Sequence, residues 1–291
     1  MSSRLHHQRA QGPTVTSRDI VRYRTVNQRI AATQSPKPED AVFALGAVQA
    51  QDYKGALWAV GLRTRGATEE TVERAIADRT IVRTWPMRGT LHFVVPRDVR
   101  WMLKYLAPRM IARGALRRRQ LHIDDETLRR SRIVLVRALR DGKRLTREAA
   151  FGLLEKHSIP CGSQRGIHIV WQLAQEGYIC FGPREEKQPT VVLLDDWVPM
   201  TNIPYRDEAL GTLALRYFTG HGPATLKDFV WWSGLPVSDA RDALESIKSK
   251  LNGFISGKAT YWMHEGRLTK GGIFPKVVLL PPFDEYLVGY N

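Results

Sequence analysis

Two β-rich runs lie in the stretch Ile81-Val82-Arg83-Thr84-Trp85-Pro86-Met87-Arg88-Gly89-Thr90-Leu91-His92-Phe93-Val94-Val95, around a turn that contains proline and glycine. Two such runs separated by a turn predict a β-hairpin. Helical patterns precede it at about residues 18–32, 41–48 and 68–77. Three helices followed by a two-stranded hairpin form the winged-helix arrangement, in which the hairpin is the wing.

The same order of helices and β-runs returns further along the chain. In the second repeat, helical patterns precede two β-like runs at 178–181 and 190–194. In the third repeat, further helical patterns precede β-like pieces at 254–255 and 260–263. The predicted helices of these two repeats are 98–116, 124–139, 146–157, 163–176, 206–218, 225–232 and 237–251. Residues 277–291 start as a strand and stop abruptly.

These patterns predict a mainly helical α+β protein of tandem winged-helix modules. The predicted units are a mobile tail at 1–16, modules at 17–96, 97–200 and 201–252, and a β-rich C-terminal part at 253–291.

The composition is strongly basic. With 43% hydrophobic residues in 291, the chain can bury a core, and 44 Lys and Arg against 29 Asp and Glu give a net charge of +15. This bias favours polyanionic partners and is expected of nucleic-acid binders. Charge alone does not separate DNA from RNA or from acidic membranes.

Several classes of protein and of site have no support in the sequence. Residues 1–11 lack the apolar core of a signal peptide, and no stretch has the roughly 18 consecutive apolar residues of a membrane span. Cys161 and Cys180 fit no metal-ligand or disulfide spacing. Phosphate-binding, zinc-protease and α/β-hydrolase motifs are missing. We therefore expect a cytoplasmic, monomeric protein, nucleoid-associated when bound to DNA, that needs no metal or other cofactor.

Two amides and a carboxylate follow one another in Val48-Gln49-Ala50-Gln51-Asp52. The apolar spacing before them is helical, so Gln49 and Gln51 are predicted near the end of a helix. Residues two apart on a helix point about 200° apart, so the pair converges on one ligand only if the chain turns there. Without further context, an isolated Gln-x-Gln is interpreted as ordinary polar sequence.

Two groups of basic residues are candidates for DNA contact. Arg109, Arg113 and Arg117 lie four apart and share one helix face, which suits phosphates spaced along a groove, although a solvated face is the alternative. Arg83, Arg88 and His92 lie on the first hairpin. Cationic side chains on a hairpin wing are suited to contact with the minor groove of DNA.

For Trp85, His92 and the pair Trp231-Trp232, a structural role is the alternative to contact with DNA. Trp85 on the first hairpin is predicted either to wedge between bases or to pack on the helices. His92 is more simply a structural histidine of a strand. In Trp231-Trp232 adjacent helical residues diverge, so at least one is expected in the core, and a structural role is favoured over base stacking.

Four motifs together resemble the AlkZ-type winged-helix DNA glycosylases, a family that includes the bacterial YcaQ proteins. They are Val48-Gln49-Ala50-Gln51-Asp52, the run 82–92, the run 228–235 around Trp231-Trp232, and Pro282-Phe283-Asp284-Glu285-Tyr286-Leu287. The resemblance covers nearly the whole chain, with the motifs in the family's order. It implies a bacterial enzyme with tandem winged-helix modules and a C-terminal β-barrel-like part, which excises alkylated purines and unhooks interstrand DNA crosslinks.

The family's catalytic element is a Gln-apolar-Gln motif, or Gln-apolar-Asp in the YcaQ branch. Gln49-Ala50-Gln51 matches the first form, so the resemblance makes Gln49 and Gln51 the residues that position water, with Asp52 and Trp85 as secondary candidates. Asp52 lies one place beyond the acidic position of the other branch. The family's chains continue past the segment that ends this one, so either the protein is naturally short or part of the β-domain is absent.

The predicted reaction is metal-independent, monofunctional hydrolysis of an N-glycosidic bond in alkylated or crosslinked double-stranded DNA. A purine alkylated at N7 is cationic and leaves readily, so the enzyme chiefly orients water near C1′ and accommodates an oxocarbenium-like transition state. Amide oxygens can accept the hydrogens of that water. The alternative is a winged-helix transcriptional regulator with no catalytic activity, and RNA binding rests on charge alone.

Overall fold

The computed structural model describes residues 15–31, 34–264 and 277–291. The structure is mixed helix and sheet. Its helices are α1 (Ser17–Asn27), α2 (Pro38–Leu45), α3 (Tyr53–Leu62), α4 (Glu69–Ala77), α5 (Pro96–Gln120), α6 (Asp125–Leu139), α7 (Arg147–Lys156), α8 (Arg165–Gln175), α9 (Leu194–Trp197), α10 (Arg206–Gly220), α11 (Leu226–Ser233), α12 (Val237–Ile247) and α13 (Glu285–Val288).

The strands are β1 (Val48–Gln49), β2 (Val82–Met87), β3 (Thr90–Val94), β4 (Leu145–Thr146), β5 (Ile179–Glu185), β6 (Gln188–Leu193), β7 (Leu251–Ser256) and β8 (Ala259–His264). The predicted helices of the two later repeats are confirmed to within a few residues at most ends. Helices α3, α9 and α13 were not predicted. Of the predicted N-terminal tail, residues 1–14 lie outside the described residues.

Local capping explains several of the helix starts. Thr16 and Asp19 form a reciprocal capping box at α1, and Thr225 and Asp228 form another at α11. In each, the threonine hydroxyl accepts a backbone N–H of the first turn, while the carboxylate accepts the N–H of the threonine. Because these bonds span three residues, the sequence alone carries the signal.

The first predicted hairpin is confirmed as β2 and β3. Its turn is Arg88-Gly89, and both residues have positive φ, 56° and 75°. Two central residues with positive φ form the tight turn that matches the twist of a hairpin. Pro86 lies inside β2, where the pairing with β3 shifts register between Thr84 and Met87, because proline has no N–H to donate.

The first two predicted hairpins join in one sheet. The strand order is β1-β3-β2-β5-β6-β4, and β2 meets β5 at the pair Arg83 and Phe181. Strand β2 therefore has a neighbour on each side, and every one of its residues is buried. The first two predicted hairpins are therefore neighbours in the sheet, an arrangement that the sequence pattern did not predict.

The glutamine segment is extended and does not form the predicted helix end. Helix α2 ends at Leu45 because Gly46 has φ 81°, a conformation that favours glycine. Strand β1 then pairs antiparallel with β3, with Gln49 opposite His92. The apolar residues keep helical spacing as far as Val48, so periodicity alone did not reveal that the helix ends at Leu45.

The C-terminal part also differs from its prediction. Strands β7 and β8 form a two-stranded sheet, and the described residues contain no closed barrel. The strand predicted to start at Val277 is wrong: residues 277–284 are irregular and lead into α13. Pro281 and Pro282 have no N–H for a ladder. Residues 265–276 lie outside the described residues.

Three apolar clusters form the core. One joins α5 to α10, α11 and α12, a second joins α6, α7 and α8 to β5 and β6, and a third lies among α2, α3 and α4. Strand β1 begins where the first and third clusters meet. Ala47, directly before the strand, belongs to the first cluster, and Val48, its first residue, belongs to the third. Among the described helices, none combines the length and the apolar character that crossing a membrane requires.

Candidate active site

The glutamine pair lies where strand β1 ends, at the edge of the larger sheet. The N–H of Ala50 donates to the carbonyl of Leu91 at 2.7 Å, so the pairing with β3 continues beyond Gln49. Gln49 lies in β1, and the chain bends at Gln51, two residues further on. Gln49 is half-buried, and Gln51 is exposed. The chain therefore turns at the pair and does not continue as a helix, on which the two side chains would diverge.

The side chain of Gln51 is held by the backbone of β3. Its Oε1 accepts the N–H of Leu91 at 3.2 Å. An amide oxygen has two lone pairs, so Oε1 can accept a second hydrogen, and Nε2 can donate. Asp52, next in the chain, is exposed and precedes the first residue of α3.

Arg83 fixes the peptide between the two glutamines. Its Nε and Nη2 donate to the carbonyl of Ala50 at 3.1 and 2.8 Å. Arg83 is 6% exposed, and burial lowers its pKa to about 10, so it remains cationic at neutral pH. The guanidinium is thus used inside the protein to hold Ala50, and contact of Arg83 with DNA stays a prediction.

Glu285 holds the other edge of the segment. Its Oε1 accepts the backbone N–H of Gln49 at 2.8 Å, an N–H that points away from β3. Its Oε2 accepts the indole N–H of Trp232 at 2.8 Å and lies 3.3 Å from Nε2 of His221. All three side chains, of Glu285, Trp232 and His221, are 0% exposed.

The Glu285 carboxyl is ionised although it is buried. Burial by itself raises its pKa, but the hydrogen bond from His221 and the positive charge of Arg88 bring the pKa down to about 2. Burial lowers the pKa of His221, so that its imidazole is neutral near pH 7 and donates through Nε2. A charged acceptor makes the hydrogen bond to Gln49 stronger than a neutral one would.

His92 is a neutral link between the glutamine segment and Arg88. It is 0% exposed, its Nδ1 lies 2.8 Å from the carbonyl of Thr90, and its Nε2 lies 3.1 Å from Nη2 of Arg88. Since a guanidinium only donates, Nε2 accepts and Nδ1 carries the proton. Burial and the charge of Arg88 lower the pKa of His92 to about 3. Its burial and its two partners favour the structural interpretation of His92, while contact with DNA stays a prediction.

Trp85 belongs to the core. It is 5% exposed and packs edge-on against Phe181, with ring centroids 5.2 Å apart. This burial favours packing inside the protein over a wedge between bases.

A second buried carboxylate fixes the position of Glu285. Asp284 receives two hydrogen bonds from Arg63, at 2.8 and 2.7 Å, and both side chains are completely buried. Asp284 also accepts the N–H of Tyr286 at 2.8 Å, which caps α13. Arg63 donates further to Oε1 of Gln28 at 2.8 Å. This buried cluster, Arg63, Asp284, Glu285 and His221, ties α3 and α13 to the glutamine segment.

Sequence reasoning missed the buried cluster. The motif that contains Asp284 and Glu285 was noticed only through the family resemblance, with no role assigned to either residue. Arg63 is 221 residues away from Asp284 in the chain. No local pattern marks such a pairing, and a charged residue in a basic sequence is first interpreted as a surface residue.

The predicted arginine face of α5 is exposed. Arg109, Arg113 and Arg117 are all exposed, as a shared outer helix face requires. Arg109 donates to the carbonyl of Gly234 at 3.2 Å, and Arg117 donates to Gln164 at 2.8 Å. Contact of these residues with DNA stays a prediction.

A groove of about 450 Å³ lies next to this face. Its lining residues are Arg88, Arg109, Arg113, Val230, Trp231, Gly234, Leu235, Pro236 and Val237. Arg88 thus belongs both to the groove and, through His92, to the support of the glutamine segment. Within residues 15–31, 34–264 and 277–291, no group of three His, Cys, Asp or Glu residues could hold a metal ion.

Comparison with known proteins gives three matches. The family model described as "DNA glycosylase AlkZ-like" matches residues 42–291. The curated "Interstrand DNA cross-link repair glycosylase" of Streptomyces sahachiroi is 27% identical over 301 residues, covering 94% of this chain and 76% of the relative. The solved structure of Streptomyces sahachiroi DNA glycosylase AlkZ aligns with TM-score 0.71 at 24% identity, over 87% of this chain and 71% of that one.

Proposed function

The chain belongs to the AlkZ-like DNA glycosylase family, and from this premise we propose that it hydrolyses the N-glycosidic bond of N7-alkylated purines with water positioned by Gln49 and Gln51. The observation that carries the proposal is the segment Gln49-Ala50-Gln51, whose three consecutive residues are bound from different directions. Glu285 binds the N–H of Gln49, Arg83 binds the carbonyl of Ala50, and Leu91 binds the side chain of Gln51.

The chemistry suits two amides. An N7-alkylated purine leaves as a neutral base, so the enzyme needs no strong general acid, and its main task is to align a weak nucleophile with C1′. Amide oxygens of Gln49 and Gln51 accept the hydrogens of the water, and Oε1 of Gln51 keeps a lone pair for this role. The exposed carboxylate of Asp52 follows Gln51 directly in the chain, and a negative charge near the reacting sugar favours its cationic character. We assign it this secondary, electrostatic role.

The proposed substrate is duplex DNA, including DNA with interstrand crosslinks, as in the name of the Streptomyces relative. Arg109, Arg113 and Arg117 bind phosphates along one strand, since exposed guanidinium groups spaced by one helical turn suit a polyanionic backbone. We propose that the helices and hairpins of 17–96, 97–200 and 201–252 act as winged-helix modules on this duplex, and that the protein works as a monomer.

The test is release of 7-methylguanine from a methylated duplex. A Gln49→Ala/Gln51→Ala variant should lose rate by about 100-fold or more, the usual contribution of a residue that handles the proton of a nucleophile. Its dissociation constant for undamaged duplex should change little, because neither residue is one of the proposed phosphate contacts. Gln188→Ala, a substitution at an exposed glutamine of β6, is the matched control and should release base at the parental rate.

Two results of the base-release assay would contradict the proposal. If the double variant released base within about threefold of the parental rate, water positioning by the pair would be wrong. If the parent released a neutral, undamaged purine as fast as 7-methylguanine, the proposed dependence on a charged leaving group would be wrong.

A further inference from the structure

Trp231 is an exposed tryptophan held in a fixed orientation. Its neighbour Trp232 is fully buried, whereas Trp231 is 51% exposed. The indole N–H of Trp231 donates to the carbonyl of Val288 at 3.1 Å. Since its polar atom is already bonded to the protein, the exposed part of the ring is aromatic surface.

The groove beside Trp231 combines aromatic, apolar and cationic walls. Val230, Leu235 and Val237 supply apolar surface, while Arg88, Arg109 and Arg113 are the charged residues of the lining. Among the described residues that line it, there is no carboxylate. Its volume of about 450 Å³ lies in the range of small-molecule sites. Such a site matches a ligand with a flat ring and a negative group.

The groove lies close to the candidate active site. Arg88 contributes to the groove wall, and its Nη2 is 3.1 Å from His92, the residue paired with Gln49 in the sheet. Arg88 and His92 therefore connect the groove wall to the strand that pairs with Gln49.

We propose that the groove binds one nucleotide of DNA whose base has left the stack, with the base on the ring of Trp231 and its phosphate on Arg109 and Arg113. The proposal rests on the proposed function only in taking DNA as the ligand. Stacking on an aromatic ring tolerates any base, because every base has a flat aromatic face. Guanidinium groups form strong, charge-assisted hydrogen bonds to phosphate.

The chain offers a matched control in Trp58. It is 56% exposed, and its indole N–H donates to the carbonyl of Leu279 at 3.0 Å, so its ring is held in the same manner. The cavity beside Trp58 contains Lys54, which is paired with Glu69. Trp58 thus has the exposed ring without the cluster of cations.

The experiment measures the affinity of the full chain for two undamaged duplexes, one fully paired and one with a single bulged 2-aminopurine. The parent should prefer the bulged duplex, and Trp231→Ala should reduce that preference about tenfold, within the range for loss of one stacked base. Trp231→Phe should keep most of it, and Trp58→Ala should leave it unchanged. Quenching of 2-aminopurine fluorescence on binding should disappear in Trp231→Ala.

Two results would overturn the proposal: equal affinity of the parent for both duplexes, or an unchanged preference in Trp231→Ala. Thermal unfolding of each variant shows whether the fold is kept, and Trp231→Phe provides the folded comparison if the alanine variant is unstable. The test needs no base release. The Gln49→Ala/Gln51→Ala variant should keep the preference for the bulge, so failure of the catalytic proposal and failure of this one give different results.

Discussion

Arginine occurs both in the buried cluster and on the exposed face of α5, but its surroundings differ between the two regions. In the cluster, Arg63 and Asp284 are completely buried and joined by two hydrogen bonds. On α5, Arg109, Arg113 and Arg117 are exposed. The comparison teaches that the net charge of +15 has two separate uses. Some cations hold the candidate active site in place, and others are available to a polyanion.

The largest effect is expected from breaking the buried pair. Arg63→Met should lower the free energy of unfolding by about 3–5 kcal/mol, because it leaves the Asp284 carboxylate buried without its partner. Urea denaturation measures the change. The same substitution on the exposed face, Arg109→Met, should cost less than about 0.5 kcal/mol.

A double variant sharpens this result. Arg63→Met/Asp284→Leu replaces the pair with apolar residues, and at least part of the lost stability should return. Full recovery is not expected, since Asp284 also caps α13 through Tyr286. If Arg63→Met alone left stability within about 1 kcal/mol of the parent, the contrast between buried and exposed arginines would be wrong.

A smaller effect is expected at Glu285. Glu285→Gln keeps the shape of the side chain but removes the charge that accepts hydrogen bonds from Gln49 and Trp232, at a cost of about 1.5–3 kcal/mol. Because Glu285 positions Gln49, the rate of base release at saturating DNA should fall, while the affinity for undamaged duplex should not. Single-turnover kinetics with separate binding measurements distinguish the two. Weaker DNA binding at a parental rate would contradict the positioning role.

The arginine face should affect binding and leave stability nearly unchanged. Arg109→Gln/Arg113→Gln should reduce the slope of log affinity against log salt by about 2, close to one for each phosphate that no longer has a guanidinium partner. Titration of a labelled duplex at several salt concentrations measures it. Arg129→Gln is the control, since Arg129 is an exposed arginine of α6 already paired with Glu126. An unchanged slope in the double variant would show that these arginines are only a solvated face.

The smallest effect near neutral pH is the pH dependence of stability. His92 has a pKa of about 3 in the folded chain, because of burial and the charge of Arg88, against its ordinary 6.5. Between these values the unfolded chain binds more protons, so stability should fall as the pH falls below about 6.5. Glu285, with a folded pKa of about 2, adds a loss of the same sign below its ordinary 4.5.

Denaturation of the parent and of His92→Gln between pH 7 and pH 5 isolates the histidine contribution, since Glu285 is ionised in both states over most of that range. The variant should show a shallower fall in stability than the parent. His221 remains in the variant, and its pKa is also lowered by burial, so part of the fall should persist. An identical slope in the two proteins would contradict the neutral, buried state of His92.

The sequence predicted the elements better than their arrangement. Helix starts at Thr16 and Thr225, the hairpin of β2 and β3, and the divergence of Trp231 from Trp232 all follow from residues a few positions apart. The choice of Gln49 and Gln51 as catalytic candidates came from the family resemblance. Residue pattern alone placed them on a helix, where they diverge. The extended β1 was missed because two residues are too short for an alternating pattern to show.

By itself, the sequence determined the turns, the caps, the exposed face of α5 and the excess of positive charge, because each depends on neighbours along the chain or on composition. Only the tertiary structure decided that Arg83 and His92 are buried, that two hairpins share one sheet, and that Glu285 binds Gln49 across 236 residues. The physical reason is that a charged side chain has the same sequence signature whether water or a buried partner compensates its charge. The partner is chosen by packing, which local sequence does not encode.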